Sequence, residues 1–267
     1  MTLCDHAARV DPHGEARAHD GVAGDPSEQV TARSARAAEG EPESAVRVLG
    51  LEGSSAPDST SDTALGVALE GSAAAGASIE TLAVASLELP FFSPEAAREP
   101  SEPACVLADA VHAADALVLS SPLYHGSISG GFKNALDWLE VLAHRDPPYL
   151  SGKVVGMLAA AGGTHGLQAI NTMEFVVRAL RGWAVPLVVP AARSWRALGR
   201  HGDVRDAAVA ASLRGLGGEV VRAARQAVRT GTCDYADDPR PGPEGARRGV
   251  AELSFGPLPG PGDSEGG

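Results

Sequence analysis

Three cysteines in 267 residues, Cys4, Cys105 and Cys233, are too few and too far apart for a disulfide framework, and none stands in a C-x-x-C or Cys/His zinc spacing. They read as separate reduced thiols. No stretch reaches the roughly 20 uninterrupted apolar residues that a membrane-spanning helix needs. The first residues, with Asp5, Asp11 and Glu15, lack the basic start and apolar run of a secretory leader. The expectation is a soluble, cytoplasmic protein. Basic excess is absent too, the formal net charge being -12. Nine acids and 4 bases precede Val46, and 7 acids and 3 bases follow Cys233, which leaves 18 acids against 15 bases between them. A middle section so nearly balanced lacks the basic stripe of a nucleic-acid-binding surface. Neither G-x-G-x-x-G nor G-x-x-x-x-G-K-[ST] occurs, so a dinucleotide fingerprint and a P-loop are both unsupported.

What is present is a hydrophobic content of 44%, enough at this length to bury a full core. Residues 1–45 are acidic and have no apolar period, and residues 234–267 are rich in Pro and Gly; both read as disordered tails around one domain, 46–233. Within that domain, strands are expected at 46–51, 78–84, 115–120, 153–160 and 185–189. Helices are expected at about 59–75, 101–113, 130–143, 167–181 and 204–229. Strands that alternate with helices in this way imply a doubly wound, five-stranded parallel sheet with helices on both faces. Ligands of such sheets bind at the carboxyl ends of the strands.

Three loops lie at that end. The first, in GLEGSSAPDSTSDTAL, places Gly53, Ser54, Ser55, Ser59, Thr60 and Ser61 around the start of a helix, where backbone N–H groups and hydroxyls suit a phosphate. Ser59 or Ser61 serving only as a helix cap explains the same residues. The second, SPLYHGSISGGFKNALDWLE from Ser121, sets Pro122, Tyr124, His125 and Gly126 between an apolar strand and an amphipathic helix. Such an irregular loop, rich in donors, is a common place to hold a ligand. The third, AAAGGTHGLQAINTMEFVVRALRGWAVPLVV, opens with another glycine turn.

The second stretch closely resembles the signature of the NADPH-dependent FMN reductase family, flavodoxin-like flavin, quinone and azo-dye reductases, and the third resembles that family's following segment. Together the resemblance covers about residues 46–190. It implies a flavodoxin-like fold, FMN as cofactor, and NADPH or NADH as co-substrate. It also implies that Pro122, Leu123, Tyr124, His125, Gly126 and Ser127 line the flavin ring, that Ser54, Ser59, Thr60 and Ser61 meet its phosphate, and that Gly162, Gly163, Thr164 and His165 flank the ring near the nicotinamide. His165 as a plain exposed loop histidine fits equally. Lys133, Asn134 and Asp137 are expected to fix their helix. Leu136, Trp138, Leu139 and Leu142 form an apolar face beyond what one helix needs against a sheet, which suggests a homodimer or homotetramer, although a core stripe explains them as well. No general acid or base and no metal ligand is assigned.

The implied activity is hydride transfer from NAD(P)H to FMN, and onward to a partner monooxygenase or a quinone-like acceptor. A flavodoxin-type electron carrier or a scaffold in a non-reductive biosynthetic step are the alternatives. One departure stands out: the family's phosphate loop reads G-S-x-R, whereas Gly53-Ser54-Ser55 is followed here by Ala56, so FMN is expected to bind loosely and exchange.

Overall fold

The computed structural model describes residues 45–56, 58–199 and 202–230, except for the side chains of 228–230. Chain contacts divide at Asp234, and the unit Tyr235–Gly267 lies outside the described residues, as do both expected tails apart from Ala45. Cys105 is disulfide-bonded, which corrects its expected free thiol; Cys4 and Cys233 lie outside the described residues.

The elements follow in the order β1 (Arg47–Glu52), α1 (Thr60–Ala74), β2 (Ser78–Ala83), α2 (Glu102–Ala113), β3 (Ala116–Pro122), α3 (Gly130–Trp138), β4 (Val154–Ala161), α4 (Gly166–Ala179), β5 (Trp183–Ala192), the short α5 (Ser194–Ala197) and α6 (Ala207–Thr230). All strand pairs are parallel, in the order β2-β1-β3-β4-β5. The winding reverses between β1 and β3, so a crevice opens at the carboxyl ends of those two strands.

Period-two alternation divides the core into two layers. Leu49, Leu51, Leu117, Leu119, Val155 and Met157 face α2, α3 and α4, whereas Val48, Val118, Val154 and Leu158 face α1 and α6. Two glycines let α1 and α6 touch backbone to backbone. A Cβ on Gly217 would lie 1.9 Å from the Ala68 carbonyl oxygen, and one on Gly71 would lie 2.1 Å from that of Arg214. The Ser72 hydroxyl donates to the Gly217 carbonyl across the same crossing, at 3.1 Å.

β5 runs on both sides of its expected span and contains Pro186 and Pro190, which an edge strand tolerates because one side of its backbone has no ladder partner. The helix expected at 130–143 is α-helical only to Trp138 and continues as a 3-10 turn, Leu139–His144. Leu136, Trp138, Leu139 and Leu142 are all at least 97% buried within the core. The oligomer inferred from a surplus apolar face therefore loses that face. The surplus is covered from within the chain: Trp138 donates its indole N–H to the Pro90 carbonyl at 2.8 Å and meets the Phe92 ring edge-on, the centroids 5.5 Å apart. Asn134 pins the same segment, donating to the Pro90 carbonyl and accepting from the Phe92 N–H, while Lys133 and Asp137 form an exposed i,i+4 ion pair. These polar residues fix structure, as expected.

Candidate functional site

At the end of β3 the chain turns sharply. The Tyr124 N–H donates to the Ser127 carbonyl at 2.9 Å and the Ser127 N–H returns the bond at 3.0 Å. The two residues between, His125 and Gly126, both have positive φ, 49° and 86°. Two positive φ values in a two-residue loop are the type I′ pattern, which explains why glycine occupies the second position. Pro122 is buried as the last residue of β3, and the Leu123 N–H is held by the Ala160 carbonyl of β4. Tyr124, His125 and Gly126 are exposed at the tip.

The turn is tied to its neighbours on both sides. Ser129 caps α3, accepting from the Phe132 N–H, and its hydroxyl donates to the Gly53 carbonyl of the first loop at 2.5 Å. On the other flank the hydroxyls of Ser127 and Thr172 of α4 lie 3.3 Å apart. Beyond β4, residues 162–165 are exposed, and a Cβ on Gly162 would meet only open space. The Gly163 carbonyl accepts from the Arg193 N–H just past β5, and the neighbouring Ser194 hydroxyl meets that of Thr60 at 3.0 Å. The loops after β1, β3 and β4 and the segment after β5 thus form a continuous rim around the carboxyl edge of the sheet.

The first loop is self-satisfied to a degree that its residue types do not suggest. Ser59 is the α1 cap, accepting from the Asp62 N–H, and its hydroxyl donates to Glu52 at 3.4 Å. The Ser54 N–H also donates to Glu52, at 3.1 Å, and the Ser54 hydroxyl is engaged with the Ala56 backbone. Thr60 meets Ser194, and Ser61 is buried, its carbonyl accepting from the Ser120 hydroxyl. Two features of this rim escaped the reading of the sequence. One is the segment from Arg193, which only tertiary contact brings to the site. The other is Glu52, an acid that ends an apolar strand directly before Gly-Ser and whose burial only the folded contacts reveal.

Glu52 is 94% buried. It follows Gly50 on the strand face turned toward α1, where a Cβ on Gly50 would strike Leu69 and Leu65. Burial first, and then the charge of Asp62, push its carboxyl from 4.5 up to about 7, against the Ser54 and Ser59 bonds that favour ionisation. A folded-state value above the unfolded one gives stability that is fully present below 4.5 and lost as pH rises through 7. The shift corresponds to about 3 kcal/mol. Glu52→Gln should therefore gain stability on the wild type by about that amount between pH 4.5 and pH 8. Thermal melts of both proteins across this range check it, and a constant difference between them would refute the assignment.

Among the described residues no group of three or more His, Cys, Asp or Glu could hold a metal ion, and no helix is long and apolar enough to cross a membrane.

The FMN-dependent NADPH-azoreductase of Staphylococcus haemolyticus (strain JCSC1435) is 43% identical over 76 residues, 28% of this chain and 37% of that protein. The protein of the same description from Staphylococcus aureus (strain USA300) is 42% identical over 74 residues, 28% of this chain and 36% of its own length. The chain thus spans little more than a third of the curated relatives it matches. Among solved structures, FerB, a flavoenzyme NAD(P)H:(acceptor) oxidoreductase from Paracoccus denitrificans, superposes with a TM-score of 0.57 at 19% identity, covering 68% of this chain and 98% of that one. An oxidoreductase from Corynebacterium diphtheriae gives 0.57 at 19% identity, over 69% and 99% of the two chains. At these identities the likeness is one of fold, the flavodoxin-like α/β sheet. The model of the family described as NADPH-dependent FMN reductase matches residues 46–196, more than half of the chain and nearly the whole rim. This protein belongs to the NADPH-dependent FMN reductase family.

Proposed function

We propose that the protein is an NAD(P)H-dependent flavin reductase that takes FMN at the carboxyl edge of its sheet. The observation that carries this reading is the pairing of two exposed turns, 124–127 and 162–165, at the ends of adjacent central strands within a family whose members are described as FMN reductases. FMN, when bound, accepts hydride from a nicotinamide and passes reducing equivalents to an acceptor. The chain's own part is position and shape. Two crossed backbone bonds fix the Tyr124–Ser127 turn, and its tip presents a half-exposed phenol ring and the uncovered backbone of Gly126 to a flat ligand. Gly162 leaves the facing side open, so a second planar ring can approach to stacking distance. Thr164 and His165 offer exposed polar groups beside it. Ser54, Ser59, Thr60 and Ser61 lie toward the ribityl chain, and the hydroxyls of the first three already have uses inside the protein.

The ring end of the site fits FMN well; the phosphate end fits a dianion poorly, since Glu52 and Asp62 stand where a cation would help. Acceptors of the quinone or azo class, or a monooxygenase that receives reduced flavin, are part of the proposal, as are a cytoplasmic location, where reduced nicotinamides are made, and self-association. An electron carrier of the flavodoxin type is the second reading, weakened by the near-neutral charge of residues 46–233.

The test is spectrophotometric. The purified protein supplied with FMN should oxidise NADPH under air and bleach a quinone or azo dye in its absence. A protein that quenches flavin fluorescence yet leaves NADPH and NADH untouched would overturn the reductase reading in favour of the carrier. Because the phosphate end is poor, the purified protein should hold FMN well below one per chain; stoichiometric flavin after extensive dialysis would contradict this.

A further inference from the structure

We propose that Glu52 decides which flavin this chain accepts: its carboxylate holds the donors at the start of α1 that a ribityl phosphate would need, so phosphorylated flavin enters only together with a proton, whereas unphosphorylated flavin enters without one. The inference rests on the flavin reading above and adds to it a substrate class and a residue that sets it.

Ser54 N–H and Ser59 Oγ both point at one Glu52 oxygen, Oε1. A backbone amide and a hydroxyl aimed at one anionic oxygen, beside the first turn of a helix, form the arrangement that binds a phosphate oxygen. In this chain the anion comes from its own strand. Two more hydroxyls of the loop are engaged as well, Ser54 Oγ with the Ala56 backbone and Thr60 Oγ1 with Ser194. Position 56, three residues after Gly53, carries Ala and so no guanidinium.

The charge around the carboxylate points the same way. Asp62, in the first turn of α1, raises the proton affinity of Glu52, and the flanking residues in register on β2 and β3, Ala83 and Ser120, carry no charge. Among the described residues no Lys or Arg acts on it. A phosphate dianion brought to this place meets a buried carboxylate at close range, and repulsion of that kind is relieved by protonating the carboxylate. The neutral acid can then donate its O–H to a phosphate oxygen. Proton and dianion enter together, and the net charge of the pocket changes by minus one rather than minus two. Riboflavin, ending in a hydroxyl, donates to the carboxylate or replaces a water on it, and no proton moves.

Titration of the full chain with FMN and with riboflavin, at pH 7, 8 and 9, separates the cases, because phosphate is already dianionic in this range and the ring is common to both ligands. For the wild type the FMN dissociation constant should rise about fivefold from pH 7 to pH 8 and about tenfold more to pH 9, while that of riboflavin stays within about twofold. Calorimetry at pH 9 in two buffers of different ionisation heat should show about one proton taken up with FMN and none with riboflavin. Glu52→Gln, which copies the neutral acid, should bind FMN at least about tenfold more tightly than the wild type at pH 8, with riboflavin unchanged and the FMN pH profile flat. Parallel pH profiles for the two flavins in the wild type overturn the proposal without needing the variant, and so does a Glu52→Gln protein whose preference between them is unaltered. Failure of both proteins to bind either flavin would overturn the flavin reading itself.

Discussion

Gly217→Ala should cost the protein about 4 kcal/mol or more. The added carbon would sit 1.9 Å from the Ala68 carbonyl oxygen and 2.7 Å from the Ser72 amide nitrogen, both backbone atoms of α1. Side chains can rotate away from an intruder; a helix backbone cannot. Relief requires α6 to lift from α1 as a body, which opens the layer that contains Leu65, Leu213, Leu216 and Val220 and breaks the Ser72–Gly217 bond. Against a total stability of about 5–15 kcal/mol, such a loss leaves a protein that melts early or fails to accumulate. Chemical denaturation compares it with Gly218→Ala, where an added Cβ meets nothing within 4 Å and helix propensity should make the change neutral or mildly stabilising. Equal midpoints for the two variants would show that the helices do not cross at Gly217.

Gly126→Val should abolish measurable flavin binding, by about a hundredfold or more, while the sheet still folds. The turn holds φ at 86°, a region that costs an ordinary L residue about 1–2 kcal/mol and a β-branched one more. Steric room is not the obstacle, since the nearest atom to an added Cβ would be Gln168 Oε1 at 3.4 Å. The expected damage is conformational: Val pulls φ back to negative values, the crossed Tyr124–Ser127 bonds break, and the tip no longer presents its backbone to a flat ring. Gly126→Ala should fall between Val and wild type. Fluorescence quenching of FMN and riboflavin, with circular dichroism as the control for folding, provides the comparison. Normal quenching by a folded Gly126→Val protein would remove residues 122–127 from the flavin wall.

The alternation of strands and helices was legible because each strand is a short apolar run bounded by glycine, proline or polar residues, and the five strand positions differ from expectation mainly at their ends. Less legible was what depends on the partner rather than on the run. Leu139 and Leu142 are three apart, a spacing that suits both an α-helix and the 3-10 turn in which they lie. Their burial with Leu136 and Trp138 reflects the segment around Pro90 folding over α3, a contact that periodicity cannot reveal. At the candidate site, the turn after β3 was readable from Tyr-His-Gly-Ser, whose turn chemistry is local. Glu52 was not. A glutamate at the end of a strand ordinarily reaches water, and only the meeting of β1, α1 and the Ser54 loop buries it.

The bond between Thr60 and Ser194 spans 134 residues. A ribosome releases the chain from the amino end, so the loops after β1, β3 and β4 emerge well before the segment that closes the rim. Long-range closure of this kind is late and slow compared with local turns. If flavin binds at this rim, it meets a finished pocket only after β5 and the residues beyond it have docked. The ligand should protect the completed protein from unfolding, yet do little to hasten its first folding during synthesis.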